Sequence, residues 1–451
     1  MKPLNSVAGP LCFIFILLCL TGCNKKDNLS PSGIKDEEFP DNPTSFIFHQ
    51  SINAESDRER LGLNLQWADF EPTGLYAPPG PGSRLLINVK NLSGKSLPTL
   101  IIGTYYRYNA KLFPDEIRLT AGQNTVEISG PGGMLYIRYT SENPDTNDRV
   151  KIDFLGGALR APLFTNGTTA KHWQWQLEKY KNVPDVTLIS DYALQVYSLS
   201  SAILWKDQNI PAVLKNVDKI IGIENDISGL VNDNSSIHSI TKHKVLMTQT
   251  DIPNSYMFAS NYITAYKSPT HYRAFSNSIV EGNDEGWGPW HELGHMHQQS
   301  AWTWQEVGEV TVNIYSLAVE RTLGIKPSRL TESGSWTKMV VFTNSTASSK
   351  NFNDDNQIDV FTRLCLFDQL RLAFGDTFFK ELHRQTRIEN PDLKTREEKM
   401  EYFMKKASLI SGKNLTDFFR KWGFVGVNNG YAAIKSLNLP APDSDLTLLR
   451  E

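Results

Sequence analysis

The pentad His291-Glu292-Leu293-Gly294-His295 sets two imidazoles four residues apart with a carboxylate between them. On a helix such positions share one face, so both rings can reach a single metal ion while Glu292 lies beside it. Zinc brings the pKa of a bound water close to neutrality, and an adjacent carboxylate can take the proton as that water attacks a carbonyl. The implied chemistry is metal-assisted hydrolysis, with His291 and His295 as ligands, Glu292 as general base and Zn2+ as cofactor. Nine histidines and 49 acidic residues in 451 would produce this pattern by chance about 0.02 times per chain, so accident is a weak rival. A helix whose histidines merely bond their neighbours is the stronger one.

The flanks argue for a built site. Pro289 just ahead of the motif suits the first turn of a helix, where its missing N–H costs nothing, so the motif is expected to start a helix. Gly294 costs about 1 kcal/mol relative to Ala inside a helix, which is tolerable where another backbone or a ligand comes close. A zinc hydrolase needs a third protein ligand and leaves the fourth position to water. The metzincin continuation would place Gly at 298 and His at 301, but the chain has Gln298 and Ala301, which points to a carboxylate. Downstream lie Glu306, Glu309 and Glu320. Glu309 opens the helix-like run Glu309-Val-Thr-Val-Asn-Ile-Tyr-Ser-Leu317, and a second helix packed across the first completes a three-point site most simply. Glu309 is therefore preferred and Glu306 comes next, with Glu320 assigned to capping or solvating that helix. His297 points away from the pair, toward a hydrogen-bonding or cleft-lining role.

With Trp287-Gly-Pro-Trp-His-Glu-Leu-Gly-His-Met-His-Gln298, Glu309-Val-Thr-Val-Asn313 and the earlier Pro72-Thr-Gly-Leu-Tyr-Ala-Pro-Pro-Gly80, the chain resembles the M60-like peptidases, the enhancin-like, mucin-degrading gluzincins. The resemblance runs from about residue 45 to the C-terminus. Carried over residue by residue, it implies that His291, His295 and Glu309 bind zinc and that Glu292 is the base. It also implies substrates that are O-glycosylated proteins such as mucins. For the group that stabilises the oxyanion, Tyr262, Tyr266, His271 and Tyr315 are candidates. Trp287, Trp290, Trp302 and Trp304 bracket the motif. Tryptophan faces stack on sugars and also fill cores, so sugar stacking by Trp287 or Trp290 stands beside a purely buried role.

The elements that must hold this site divide into an α+β, multidomain arrangement. Over 45–165 the chain shows short β-prone runs separated by turn residues: Leu85–Val89, Thr99–Ile102, Asn124–Ile128, Met134–Ile137 and Val150–Phe154. This reads as an N-terminal β-sandwich, either a scaffold or a surface that contacts glycan or substrate. From 166 to 451 a mixed α/β and then mainly helical gluzincin-type catalytic region follows, with helices expected at Asp191–Leu204, Phe361–Phe374, Glu397–Leu409 and Asn414–Trp422, the last capped by Asn414. The late helices are expected to close the cleft from below.

The N-terminus supplies an address. Lys2, the apolar stretch Leu11–Leu20 and Leu20-Thr-Gly-Cys23 form a secretory signal over 1–22 that ends in a lipobox-like sequence, with Cys23 the lipidated residue. The apolar run is too short to span a bilayer. Residues 23–44, with Pro31, Pro40 and Pro43, read as a flexible tether. The expected location is outside the cytoplasm, lipid-anchored to a bacterial membrane, the outer membrane or cell surface. Once Cys12 and Cys19 leave with the signal and Cys23 is acylated, Cys365 alone remains, in an apolar run that makes it a buried thiol rather than a nucleophile. A net charge of −3 gives no electrostatic case for nucleic-acid binding. Two further readings compete: a gluzincin aminopeptidase, and a glycan-binding surface lipoprotein with a non-catalytic zinc site.

Overall fold

The structure is a computed structural model and describes residues 39–93, 96–128, 130–233 and 236–451. Cys23, the signal segment and most of the tether lie outside the described residues.

Alternation builds the first domain. Along Arg84–Asn91 the residues Leu85, Ile87 and Val89 are buried while their neighbours face outward, and Val150, Ile152 and Phe154 repeat the pattern along Arg149–Gly156. These strands belong to a four-stranded antiparallel sheet ordered Ser45–His49, Arg149–Gly156, Arg84–Asn91, Gly122–Glu127. A five-stranded antiparallel sheet packs against it, ordered Leu159–Arg160, Glu71–Ala77, Gly133–Arg138, Thr99–Ile102, Asp115–Arg118. Leu75, Leu100, Ile102, Leu135 and Ile137 of the second sheet meet the apolar face of the first, which is the β-sandwich expected from sequence. The outer sheet alternates because one face is wet. The inner sheet does not alternate, because its far face, with Tyr76, Ile101, Met134 and Tyr136, packs on Leu194, Val196, Leu246 and Ala265 of a third sheet.

That third sheet is mixed and six-stranded, ordered Leu163–Phe164, Asp185–Ile189, Ala193–Ser198, Val245–Thr250, Ile263–Lys267, Met257–Ser260. It corrects the helix expected over 191–204: Ala193–Ser198 is a central strand, and only Leu199–Leu204 is helical, capped by the Ser198 side chain. A strand buried on both faces carries a continuous apolar run with no period of two, so its pattern alone does not distinguish it from a buried helix. Met257–Ser260 ends the sheet and leaves one edge unpaired among the described strands.

Helices fill the remainder. Ile210–Ile227 lays Val213, Leu214, Val217, Ile220, Ile221 and Glu224 into the core, and the late helices are Val360–Phe374, Thr377–Glu389, Arg396–Ser411, Thr416–Lys421 and Asn428–Ser436. The expected Asn414 cap is corrected: the helix begins at Thr416 with Leu415 at the N-cap position and no side-chain cap, and Asn414, one residue earlier, only accepts from the Thr416 N–H through its Oδ1 at 3.1 Å. Cys365 is fully buried, its thiol donates to the Phe361 carbonyl, and burial pushes its pKa far up, as suits a structural residue. No helix among the described residues is long and apolar enough to cross a membrane.

Candidate active site

The motif helix spans Asn283–His295, so it begins well before Pro289, which occupies its seventh position rather than its first turn. An interior proline forfeits one backbone bond and is normally costly. Here tertiary packing outweighs that cost: Trp290 is fully buried with its Nε1 donating to the Ile279 carbonyl at 2.7 Å. Gly294 has the role its position suggested. A Cβ there would lie 2.8 Å from the Val312 carbonyl oxygen, so only glycine lets the helix Asn313–Leu323 and the preceding turn Gly308–Thr311 come this close. That approach carries Glu309 to the histidines.

His291 Nε2 lies 2.9 Å from Glu309 Oε2 and 3.2 Å from His295 Nε2, and His295 Nε2 lies 3.6 Å from the same carboxylate oxygen. The three ligand atoms are thus gathered about one point, a donor set of the type that suits zinc. The opposite ring nitrogens are fixed from behind. His291 Nδ1 donates to Asn313 Oδ1 at 2.9 Å, and the Asn313 amide nitrogen donates to the Glu309 carbonyl, which sets the amide's orientation. His295 Nδ1 donates to Gln298 Oε1 at 2.7 Å, while the Gln298 amide nitrogen donates to the Gly308 carbonyl and to Thr311. With the proton on each Nδ1, both Nε2 lone pairs point at the same place. Two such lone pairs beside a carboxylate repel one another unless a cation lies between them, so these residues fit a metal ion. Asn313 and Gln298 were missed as functional residues from sequence, although spacings of three and four residues from a ligand were the available signal.

Electrostatics follow the same logic. Burial disfavours protonation of His291, but the Glu309 bond, the Glu292 charge and the Asn313 bond outweigh it and raise its pKa. The two imidazoles hold the Glu309 carboxyl far below the usual carboxylate range. Burial pushes the Glu292 carboxyl up, against the pull of His291 and His295, and a cation beside it would pull the same way as the histidines. Glu292 lines an open cleft of about 340 Å³ with the three ligand residues, Asn64 and Leu65 on one wall and Met257, Phe258 and Ala259 of the edge strand on another. None of these lining residues comes from the helices beyond 360, so the expectation that the late helices close the cleft from below is corrected.

Other expected residues sit elsewhere. Glu306 pairs with Arg396 at 2.9 Å, away from the histidines. Glu320 is neither solvated nor capping its own helix: it is buried, accepts from the Asn283 side chain, and caps the following helix through the Arg329 N–H. His297 is buried behind the site, its ring 3.1 Å from the Leu293 carbonyl, Asn225 Oδ1 and Glu224 Oε2, which makes it a hydrogen-bonding residue and not a cleft-lining one. The oxyanion candidates do not line the cleft: Tyr266 donates to Thr264, Tyr315 to the His297 carbonyl, His271 bonds Ser201, and Tyr262 packs against Phe70 and Tyr105. All four tryptophans are buried, which rules out sugar stacking by Trp287 or Trp290.

Comparison with known proteins identifies the family and the fold. Residues 157–423 match the family model of peptidase M60, enhancin and enhancin-like, and residues 52–153 match that of the N-terminal domain of M60-like peptidases. A functionally unknown conserved protein from Bacillus anthracis str. Ames is 31% identical with a TM-score of 0.79, over 90% of this chain and 81% of that one. The catalytic module of the metalloprotease ZmpA from Clostridium perfringens shares the fold at 21% identity and a TM-score of 0.73, over 90% and 81% of the two chains. So does a metallopeptidase solved in complex with Tn antigen, at 20% and 0.75, over 90% and 80%. TRPM8 channel-associated factor 3 of Rattus norvegicus is 24% identical over 364 residues, 78% of this chain but only 38% of its own length. The chain belongs to the peptidase M60 family, enhancin and enhancin-like.

Proposed function

We propose that this protein is a zinc-dependent endopeptidase that cleaves O-glycosylated, mucin-like polypeptides, with Glu292 as general base. The observation that carries the reading is the convergence of His291 Nε2, His295 Nε2 and Glu309 Oε2, each histidine locked from behind, beside the buried Glu292 carboxylate. A zinc ion held there would acidify a coordinated water and polarise the scissile carbonyl. Glu292 takes the proton from the attacking water and returns it to the amine of the leaving chain, a shuttle suited to a carboxyl whose burial favours the protonated form. Asn313 and Gln298 keep the imidazoles in the tautomer that leaves Nε2 free. The unpaired edge of Met257–Ser260 offers backbone groups to an extended peptide.

The cleft also argues for internal cleavage. Among the described residues Glu292 and Glu309 are its only lining carboxylates, so none of these is left to hold a free α-amino group as an aminopeptidase requires. The glycosylated substrate rests on family membership, and acylation of Cys23, with anchoring to a membrane, on the lipobox-like sequence. The test is incubation of the soluble mature protein with a mucin-type glycoprotein, followed by mass spectrometry of the products. Internal fragments that disappear with a chelator are expected; release of single N-terminal residues, or binding without cleavage, would sink the proposal. For the anchor, radiolabelled fatty acid should enter the protein expressed in a bacterial host and fail to enter Cys23→Ser; equal labelling of both would refute it.

A further inference from the structure

We propose that the loop between the strands Thr99–Ile102 and Asp115–Arg118 of the β-sandwich is a second substrate-contacting surface, on which Tyr106 and Phe113 receive the polypeptide where it leaves the cleft. The proposal rests on the peptidase reading of that cleft. Phe258, on the edge strand and in the cleft wall, meets the Tyr106 ring edge-on with centroids 5.5 Å apart, and Tyr106 meets Phe113 at 5.3 Å. Phe113 is 59% exposed. A line of aromatic contacts therefore runs from half-buried Phe258, on the face of the edge strand turned toward the β-sandwich, through half-buried Tyr106 to exposed Phe113.

The loop is clamped to the catalytic sheet rather than merely resting on it. The Arg107 guanidinium pairs with Asp185 at 2.7 Å, both side chains buried, and the Tyr108 hydroxyl donates to the same carboxylate. The Asn109 N–H donates to Asp251 Oδ1, and the Asp251 N–H donates to the Arg107 carbonyl. Immediately before these anchors Tyr106 holds φ at +53°, the left-handed region that costs a bulky residue of order 1 kcal/mol or more. A glycine or asparagine would avoid that cost. A strained tyrosine and an exposed phenylalanine on a firmly held loop are what a binding surface needs and what folding alone does not.

The occupant is the peptide chain itself. A segment paired with the free edge of Met257–Ser260 stays extended, with side chains alternating at about 3.3 Å per residue, so residues beyond Phe258 pass over Tyr106 and Phe113. Apolar or ring side chains such as proline or valine bury against such a surface, whether or not a sugar is attached nearby.

The test uses zinc-loaded Glu292→Gln protein, which holds substrate without turning it over, and fluorescence anisotropy with labelled Thr/Pro-rich peptides. A short peptide spans the cleft; a long one extends it by about five residues on each side, roughly 17 Å of extended chain. Each is made with and without a single O-linked N-acetylgalactosamine. Adding Phe113→Ala, at an exposed site, or Tyr106→Gly, which keeps the backbone unstrained, should raise the Kd of both long peptides about five- to tenfold and leave the short ones unchanged. Equal effects on short and long peptides, no effect on either, or an effect confined to the glycosylated forms would overturn the proposal. Cleavage of the long peptide by the wild-type protein is scored separately. Phe113-dependent binding without cleavage would defeat the peptidase reading and leave the surface standing.

Discussion

His291 and His295 differ from His297, a few residues on in the same chain, in which ring nitrogens are left over. His297 faces acceptors on both sides, the Leu293 carbonyl and Glu224 at Nδ1 and Asn225 at Nε2, in a fully enclosed setting. His291 and His295 are each held from behind at Nδ1, and their Nε2 atoms meet at the cleft beside Glu309. One residue type thus gives a structural clamp or a pair of metal ligands, according to how many of its nitrogens the surrounding helices occupy.

Breaking each side of this contrast should give opposite signatures. His297→Ala removes the buried ring that bonds the Leu293 carbonyl and Asn225, so chemical denaturation should show a loss of about 1–3 kcal/mol while zinc still binds at one per chain. His295→Ala should do the reverse. If structural zinc sites are worth about 10–16 kcal/mol shared among four ligands, one ligand is worth roughly 2.5–4 kcal/mol, so zinc affinity by chelator competition should fall by about two to three orders of magnitude with little change in metal-free stability. Asn313→Ala or Gln298→Ala keeps all three ligands and releases one ring each, and zinc affinity should drop about 10- to 100-fold; an unchanged affinity would deny the locking role.

A further histidine extends the enclosed class. Burial pushes the pKa of His383 down to about 3, and its ring is held by the Phe379 carbonyl and the Tyr315 hydroxyl. The unfolded chain takes up this proton near pH 6.5, while the folded chain refuses it until about 3. Stability from this group is therefore complete above pH 6.5 and falls as pH drops through that window, by up to about 1.4 kcal/mol per unit. Denaturation of the wild type against His383→Gln between pH 6.5 and 4.5 should show a steeper loss of stability in the former, since His271 contributes a slope of the same sign to both.

Legibility from sequence followed locality. The spacing of His291, Glu292 and His295 is a helical property and survives without knowledge of the fold, and Glu309 lies near enough in the chain for a single helix crossing to deliver it. Strands with one wet face, such as Arg84–Asn91, announce themselves by alternation. What stayed hidden depends on distant partners. Ala193–Ser198 is enclosed on both faces and has no period; Pro289 is tolerated because of how Trp290 packs; Trp287 and Trp290 have the same composition whether they stack on sugars or fill a core. The cleft walls at Asn64–Leu65 and Met257–Ala259 come from segments more than 30 residues from the motif, where no spacing rule reaches.

The most direct test of the account is the turnover of a mucin-type glycoprotein by wild-type and Glu292→Gln proteins, each with its zinc content measured by inductively coupled plasma mass spectrometry. The expected result is one zinc per chain in both and a fall in kcat of at least about a hundredfold in the variant, the scale of losing a positioned general base. Equal turnover with equal zinc would contradict the role assigned to Glu292 and, with it, the assignment of the cleft as a hydrolytic centre.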